Sequence, residues 1–139
     1  MRILFDTSAI YKRYDDEPGR ARVLRLAEQA AEVCVAAHCK LEVASAFNRQ
    51  RHDKALGLQD YARIMEVVNG EFAEFTIVAL NARVEGLSVA AMERVRLRAM
   101  DALHIGAAQA ALVDLFVTAD RRQAQAAQAV GLKTELVEA

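Results

Sequence analysis

The sequence predicts an α/β fold, a three-layer α/β/α arrangement whose mostly parallel central sheet has four to five strands. Short apolar runs recur along the chain and alternate with segments of helical spacing. Apolar residues make up 54% of the sequence, and many of them are alanine, which favours helices packed closely on another layer. Strands that alternate with helices build a parallel sheet covered on both faces.

Arg2 to Phe5 is an apolar run that reads as a fully buried first strand, with Asp6 at its carboxyl end. Thr7 or Ser8 can cap a short helix after it. Pro18 suits the first turn of a helix over about 18–31, which buries Val23, Leu24, Leu26, Ala27 and Ala30. Residues 33–36 form the second strand. A helix follows from His38 to about Asp53, carrying Leu41, Val43, Ala44 and Phe47, and Gly57 stops it. Residues 58–72 form a helix with Tyr61, Ile64, Met65 and Val68 on the core side. Residues 75–80 form strand three, 82–98 a helix, and about 101–111 another. Strand four spans 115–118, a helix spans 121–130 with Gly131 as its cap, and 132–137 is the last strand. With 139 residues and no linker, repeat or low-complexity tract, one domain over 1–139 is expected.

The formal net charge is −1, so bulk charge does not point to nucleic acid, and any such binding needs a local basic patch. Cys34 and Cys39 form neither a disulfide framework nor a zinc set; they read as small buried side chains. The apolar run at the N-terminus is too short for a signal peptide, and no stretch is long enough to span a membrane. A cytoplasmic protein is expected.

Four carboxylates carry the functional argument. Ligands in open α/β sheets bind outside the carboxyl ends of the strands. Asp6 follows strand one and Asp120 follows strand four, although each taken singly reads as a helix cap. Asp101 opens a helix above Ile105, Ala108 and Leu112, and a capping role is again the plain alternative. Glu42 lies inside a helix with Ser45, Ala46 and Arg49 on its own face; alone, it reads as a surface acid paired with Arg49 or Ser45. Together, the four could meet at one pole of the sheet. Two unit charges about 5 Å apart repel by roughly 3 kcal/mol at an effective dielectric near 20, so such a nest calls for protons or cations. An all-carboxylate site points to Mg²⁺ or Mn²⁺, which can activate water against a phosphodiester.

These residues sit in recognisable motifs. The chain resembles the PIN-domain ribonucleases, specifically the VapC-type toxins of toxin–antitoxin pairs. The matching segments are ILFDTSAI with Asp6, KLEVASAF with Glu42, RAMDALHIGAA with Asp101 and FVTADRR with Asp120. They come in the family's order and span nearly the whole chain. The resemblance implies a PIN-like fold and a metal-dependent endoribonuclease with one or two Mg²⁺ or Mn²⁺ ions. It implies that Asp6 and Asp101 bind metal directly, that Asp120 completes the site, and that Glu42 binds metal or orients the attacking water. Thr7 and Thr118 match hydroxyls lining such sites. It further implies RNA ends with a 5′-phosphate and a 3′-hydroxyl, a homodimer, and an antitoxin whose amphipathic segment fills a groove. One departure is VAAHCKLE, which lacks the hydroxyl residues that relatives often carry before the helical glutamate and leaves the hydrogen-bond partner of Glu42 unassigned.

Lys12, Arg13, Arg121 and Arg122 are the expected RNA contacts, being nearest the acids in sequence. Lys40, Arg49, Arg51, His52 and Lys54 make one helix basic. His104 reads as a buried packing residue, and His38 and His52 as structural or surface residues. A phosphoacceptor signalling domain is disfavoured because the third strand, FTIVALNA, holds no acid. A catalytically silent PIN-like module that binds RNA or protein is the alternative to the nuclease.

Overall fold

The computed structural model describes residues 1–138. Strands β1 (Arg2–Phe5), β2 (Glu32–Ala36), β3 (Thr76–Val78), β4 (Leu115–Thr118) and β5 (Thr134–Leu136) form one sheet. All neighbouring pairs are parallel, in the order β3-β2-β1-β4-β5. The helices are α1 (Thr7–Ile10), which runs into a 3₁₀ turn at Tyr11–Arg13, then α2 (Arg20–Gln29), α3 (Cys39–His52) and α4 (Leu58–Phe72). After β3 come α5 (Ala82–Arg94), α6 (Ala99–Ala110) and α7 (Arg121–Ala129).

Strand residues alternate between two hydrophobic layers, as the two-residue period of a strand requires. Ile3, Phe5, Val35, Leu115 and Val117 join Ile10, Val23, Val43, Phe47 and Val68 on the face of α1 to α4. Leu4, Cys34, Ala36 and Phe116 join Val84, Ile105, Ala108 and Ala127 on the face of α5 to α7. The three-layer α/β expectation therefore holds, with five strands. Cys34 and Cys39 are buried thiols, as expected. Among the described residues no helix is long and apolar enough to cross a membrane.

Several boundaries move. The helix expected over 82–98 ends at Arg94, because Val95 is extended, and α6 starts two residues before Asp101. Gly57 does not stop α3; it is the residue before α4, and Lys54 takes the left-handed backbone instead. Leu41 points to solvent, 74% exposed, although it was expected among the apolar residues of its helix. Leu112 lies beyond the end of α6 and is exposed, so the stripe below Asp101 shortens to Ile105 and Ala108. Helices α5 and α6 pack closely because Gly106 has no side chain: a Cβ there would lie 2.1 Å from Ser88 Oγ and 2.7 Å from the Val84 carbonyl oxygen.

Candidate active site

The chain builds outward from β1 through β2 to β3, then crosses back to β4 on the other side of β1. Strand order reverses between β1 and β4, and a crevice opens outside their carboxyl ends. A cleft of about 770 Å³ lies there, and Asp6, Glu42, Asp101 and Asp120 all line it. The four acids, scattered over 115 positions of sequence, thus share one cavity.

Asp6 follows β1 directly and caps α1. Its Oδ1 accepts from the Ser8 hydroxyl at 2.7 Å and from the Ala9 N–H at 3.1 Å. Its Oδ2 accepts from the Thr118 hydroxyl at 2.5 Å. Asp6 is only 4% exposed. Burial pushes its carboxyl above the usual range, against the opposing pull of His104 and the donors Thr118, Ser8 and Ala9. The capping role and the cleft position belong to the same side chain.

Glu42 stands in the first turn of α3. Its Oε1 accepts from the Thr7 hydroxyl at 2.6 Å and lies 2.8 Å from His104 Nε2 and 3.4 Å from His38 Nε2. Burial acts to raise its carboxyl, but hydrogen bonds from His104 and Thr7 and the two imidazoles outweigh it, and the net shift is downward. Thr7 thus supplies the hydroxyl that VAAHCKLE lacks.

Asp101 is the third residue of α6, in its first turn and not at its cap, and its Oδ2 lies 3.3 Å from Arg98 Nε. Asp120 caps α7, accepting from the N–H groups of Arg122 at 2.8 Å and Gln123 at 3.1 Å. Thr118 ties this end of the cleft together: its Oγ1 accepts from the Asp120 N–H at 3.1 Å while its hydroxyl serves Asp6.

Among the described residues no three of the four acids bring carboxylate oxygens within 4.8 Å of one another. Burial, hydrogen bonds and the histidines are the main causes of the shifts of Asp6 and Glu42. Among the described residues the one trio of ligating side chains whose donor atoms all lie within 4.8 Å is His38, Glu42 and His104.

Sequence reasoning missed three members of this neighbourhood. Ser8 bridges Asp6 and the Ala119 N–H, the latter at 2.9 Å. His104 is buried, as expected of a packing residue, yet its Nε2 faces Glu42 and Thr7. His38, read as a structural or surface residue, stacks on His104 with ring centres 4.3 Å apart, and its Nε2 lies 2.9 Å from the Met100 carbonyl oxygen. The DALHI segment holds the signal for His104, since Asp101 and His104 are one turn apart.

The expected basic contacts are largely committed elsewhere. Lys12 lines the cleft but is buried, with Nζ 3.1 Å from Glu17 and 2.6 Å from the Pro18 carbonyl oxygen. Arg13 makes a two-pronged pair with Glu71 at 2.9 and 2.7 Å and is not among the cleft-lining residues. Arg121 pairs with Glu138 at 2.5 Å. Arg122 differs: with Arg96 and Arg98 it lines a groove that adjoins the cleft at Asp101 and Asp120.

A family model described as the PIN domain matches residues 3–129. The chain belongs to the PIN-domain family. Among solved structures, this PIN domain is similar to a DNA-bound VapBC from Salmonella typhimurium, with a TM-score of 0.72, 14% identity and 97% of each chain covered. It is similar to Mycobacterium tuberculosis VapC20, described as a toxin that cleaves the sarcin–ricin loop, at a TM-score of 0.68 and 16% identity over 94% of this chain and 95% of that one. FitAcB from Neisseria gonorrhoeae aligns at a TM-score of 0.69 and 16% identity, covering 95% of both. At such identities the likeness carries the fold. No curated protein matches the chain.

Proposed function

We propose that this PIN domain, acting as one unit over residues 1–139, is a metal-dependent endoribonuclease and the toxin of a toxin–antitoxin pair. The observation that carries the reading is the shared cleft of Asp6, Glu42, Asp101 and Asp120 at the point where strand order reverses. Family membership and the toxins among its structural relatives support it.

The donors of Asp6, Asp101 and Asp120 are all oxygens. They suit a hard cation that keeps part of its water shell, and so fit one or two Mg²⁺ or Mn²⁺ ions. When bound, such an ion supplies a nucleophilic water at neutral pH and stabilises the leaving oxygen. Thr118 and Ser8 hold the Asp6 carboxylate in place through their hydroxyls. Thr7 holds Glu42, which binds the ion or orients the attacking water. Arg122 contacts RNA phosphates entering the cleft, in place of the committed Lys12, Arg13 and Arg121. An antitoxin and a second copy of the chain are its partners, by analogy with the toxin–antitoxin complexes among its relatives.

Sequencing of RNA ends after induced expression tests this function in the cell. New ends bearing a 5′-phosphate, present with the natural chain and absent with Asp6→Asn, are expected. Identical end profiles for the two would leave the silent binding module as the reading.

A further inference from the structure

We propose that His38, Glu42 and His104 form a second metal site, selective for a borderline transition-metal ion such as Zn²⁺, at the edge of the acidic cleft. Their donor atoms all lie within 4.8 Å of one another. Glu42 Oε1 stands 3.4 Å from His38 Nε2 and 2.8 Å from His104 Nε2. A tetrahedral zinc ion with bonds of about 2.0–2.1 Å holds its ligands about 3.3 Å apart, so small movements would admit it. Two imidazoles and one glutamate make a known three-ligand zinc set that leaves a fourth position open.

The fold presents this set ready-made. His38 and Glu42 are four residues apart at the start of α3 and so lie on one side of it. His104 comes from α6, is 2% exposed, and is held by packing. Thr7 sits behind the trio, its Oγ1 2.6 Å from Glu42 and 3.1 Å from His104 Nε2. Ligand chemistry separates the two sites: imidazole suits Zn²⁺, Ni²⁺ or Cu²⁺, whereas Mg²⁺ keeps to oxygen. His38 must exchange its contact with the Met100 carbonyl for the ion. His104 Nδ1 is buried with no partner, so the outer hydrogen bond that usually strengthens a metal-binding imidazole is missing. Affinity is therefore expected about 10–100-fold below that of a fully supported site.

Glu42 belongs to both sites, so an ion held by the histidines removes it from the acidic cleft. That consequence, inhibition of RNA cutting, rests on the nuclease reading; the binding itself does not.

Visible absorption during titration with Co²⁺, a spectroscopic stand-in for Zn²⁺, tests the site on the full chain. The natural chain and Asp101→Asn should each bind one Co²⁺ with intense low-symmetry bands, displaced by Zn²⁺ and not by excess Mg²⁺. His38→Ala and His38→Gln, checked for folding by circular dichroism, should lose affinity by about tenfold or more. Binding that survives both His38 substitutions, or that vanishes in Asp101→Asn, overturns the proposal, as does a natural chain that takes up no Co²⁺. Failure of the nuclease reading would appear separately, as Co²⁺ binding of this kind in a protein that cuts no RNA with Mg²⁺.

Discussion

The Thr118 hydroxyl donates to Oδ2 of Asp6 at 2.5 Å, joining residues 112 positions apart and fastening the end of β4 to the acid that follows β1. Both groups are buried. Thr118→Val keeps the shape and removes the donor, leaving a buried carboxylate oxygen short of a partner. A loss of about 1–3 kcal/mol in urea unfolding is expected. An unchanged midpoint would show that the bond contributes nothing.

The two perturbed acids give stability opposite dependences on pH. Asp6 has its carboxyl raised by burial, so the folded state holds that proton more tightly than the unfolded one. Its contribution therefore falls as pH rises from the ordinary aspartate value of 3.8 through its higher folded value. Glu42 is lowered, so its contribution is present above 4.5 and is lost as pH falls through its folded value. Unfolding free energy measured across pH in metal-free buffer separates them: Asp6→Asn should remove the decline on the alkaline side, and Glu42→Gln the decline on the acid side. A profile unchanged by Asp6→Asn would contradict the burial cost assigned to that carboxylate.

Two glycines make a paired test of the α5–α6 packing. Gly106→Ala drives a methyl group into Ser88 and the Val84 carbonyl, and should destabilise by about 1–3 kcal/mol despite alanine's better helix propensity. Gly86, within α5, has open space around it, and Gly86→Ala should stabilise by about 0.5–1 kcal/mol. Thermal unfolding of the two variants should move in opposite directions.

Arginines in and out of ion pairs should behave differently toward RNA. Arg13→Ala breaks the pair with Glu71 and should cost about 1 kcal/mol of stability with little change in RNA affinity. Arg122→Ala should weaken binding across sequences and reduce the salt dependence by about one unit. Binding measured at several salt concentrations with an uncleavable RNA distinguishes the two.

The legible parts of the fold are those written in local pattern. Runs such as RILF and LFVT show the strands directly, and Asp6 and Asp120 stand out because each follows such a run. The helix boundary at Val95 is hidden because neither Gly nor Pro marks it. Contacts between distant segments leave even less trace. His38 and His104 lie 66 positions apart and gain meaning only when α3 and α6 meet over Glu42. The pairing of Arg13 with Glu71, across 58 positions, likewise removes a cation that sequence proximity to Asp6 assigned to RNA. Local charge counts cannot see which cations folding neutralises.

Cleavage of a structured RNA by the purified protein, with Mg²⁺ or Mn²⁺ and again with EDTA, tests the account most directly. Cutting should require the divalent ion and fall by about 100-fold or more in Asp6→Asn and in Asp101→Asn, the scale of losing one positioned electrostatic group. Cutting that persists in EDTA, or that survives both substitutions, would contradict a metal-dependent nuclease built on this cleft.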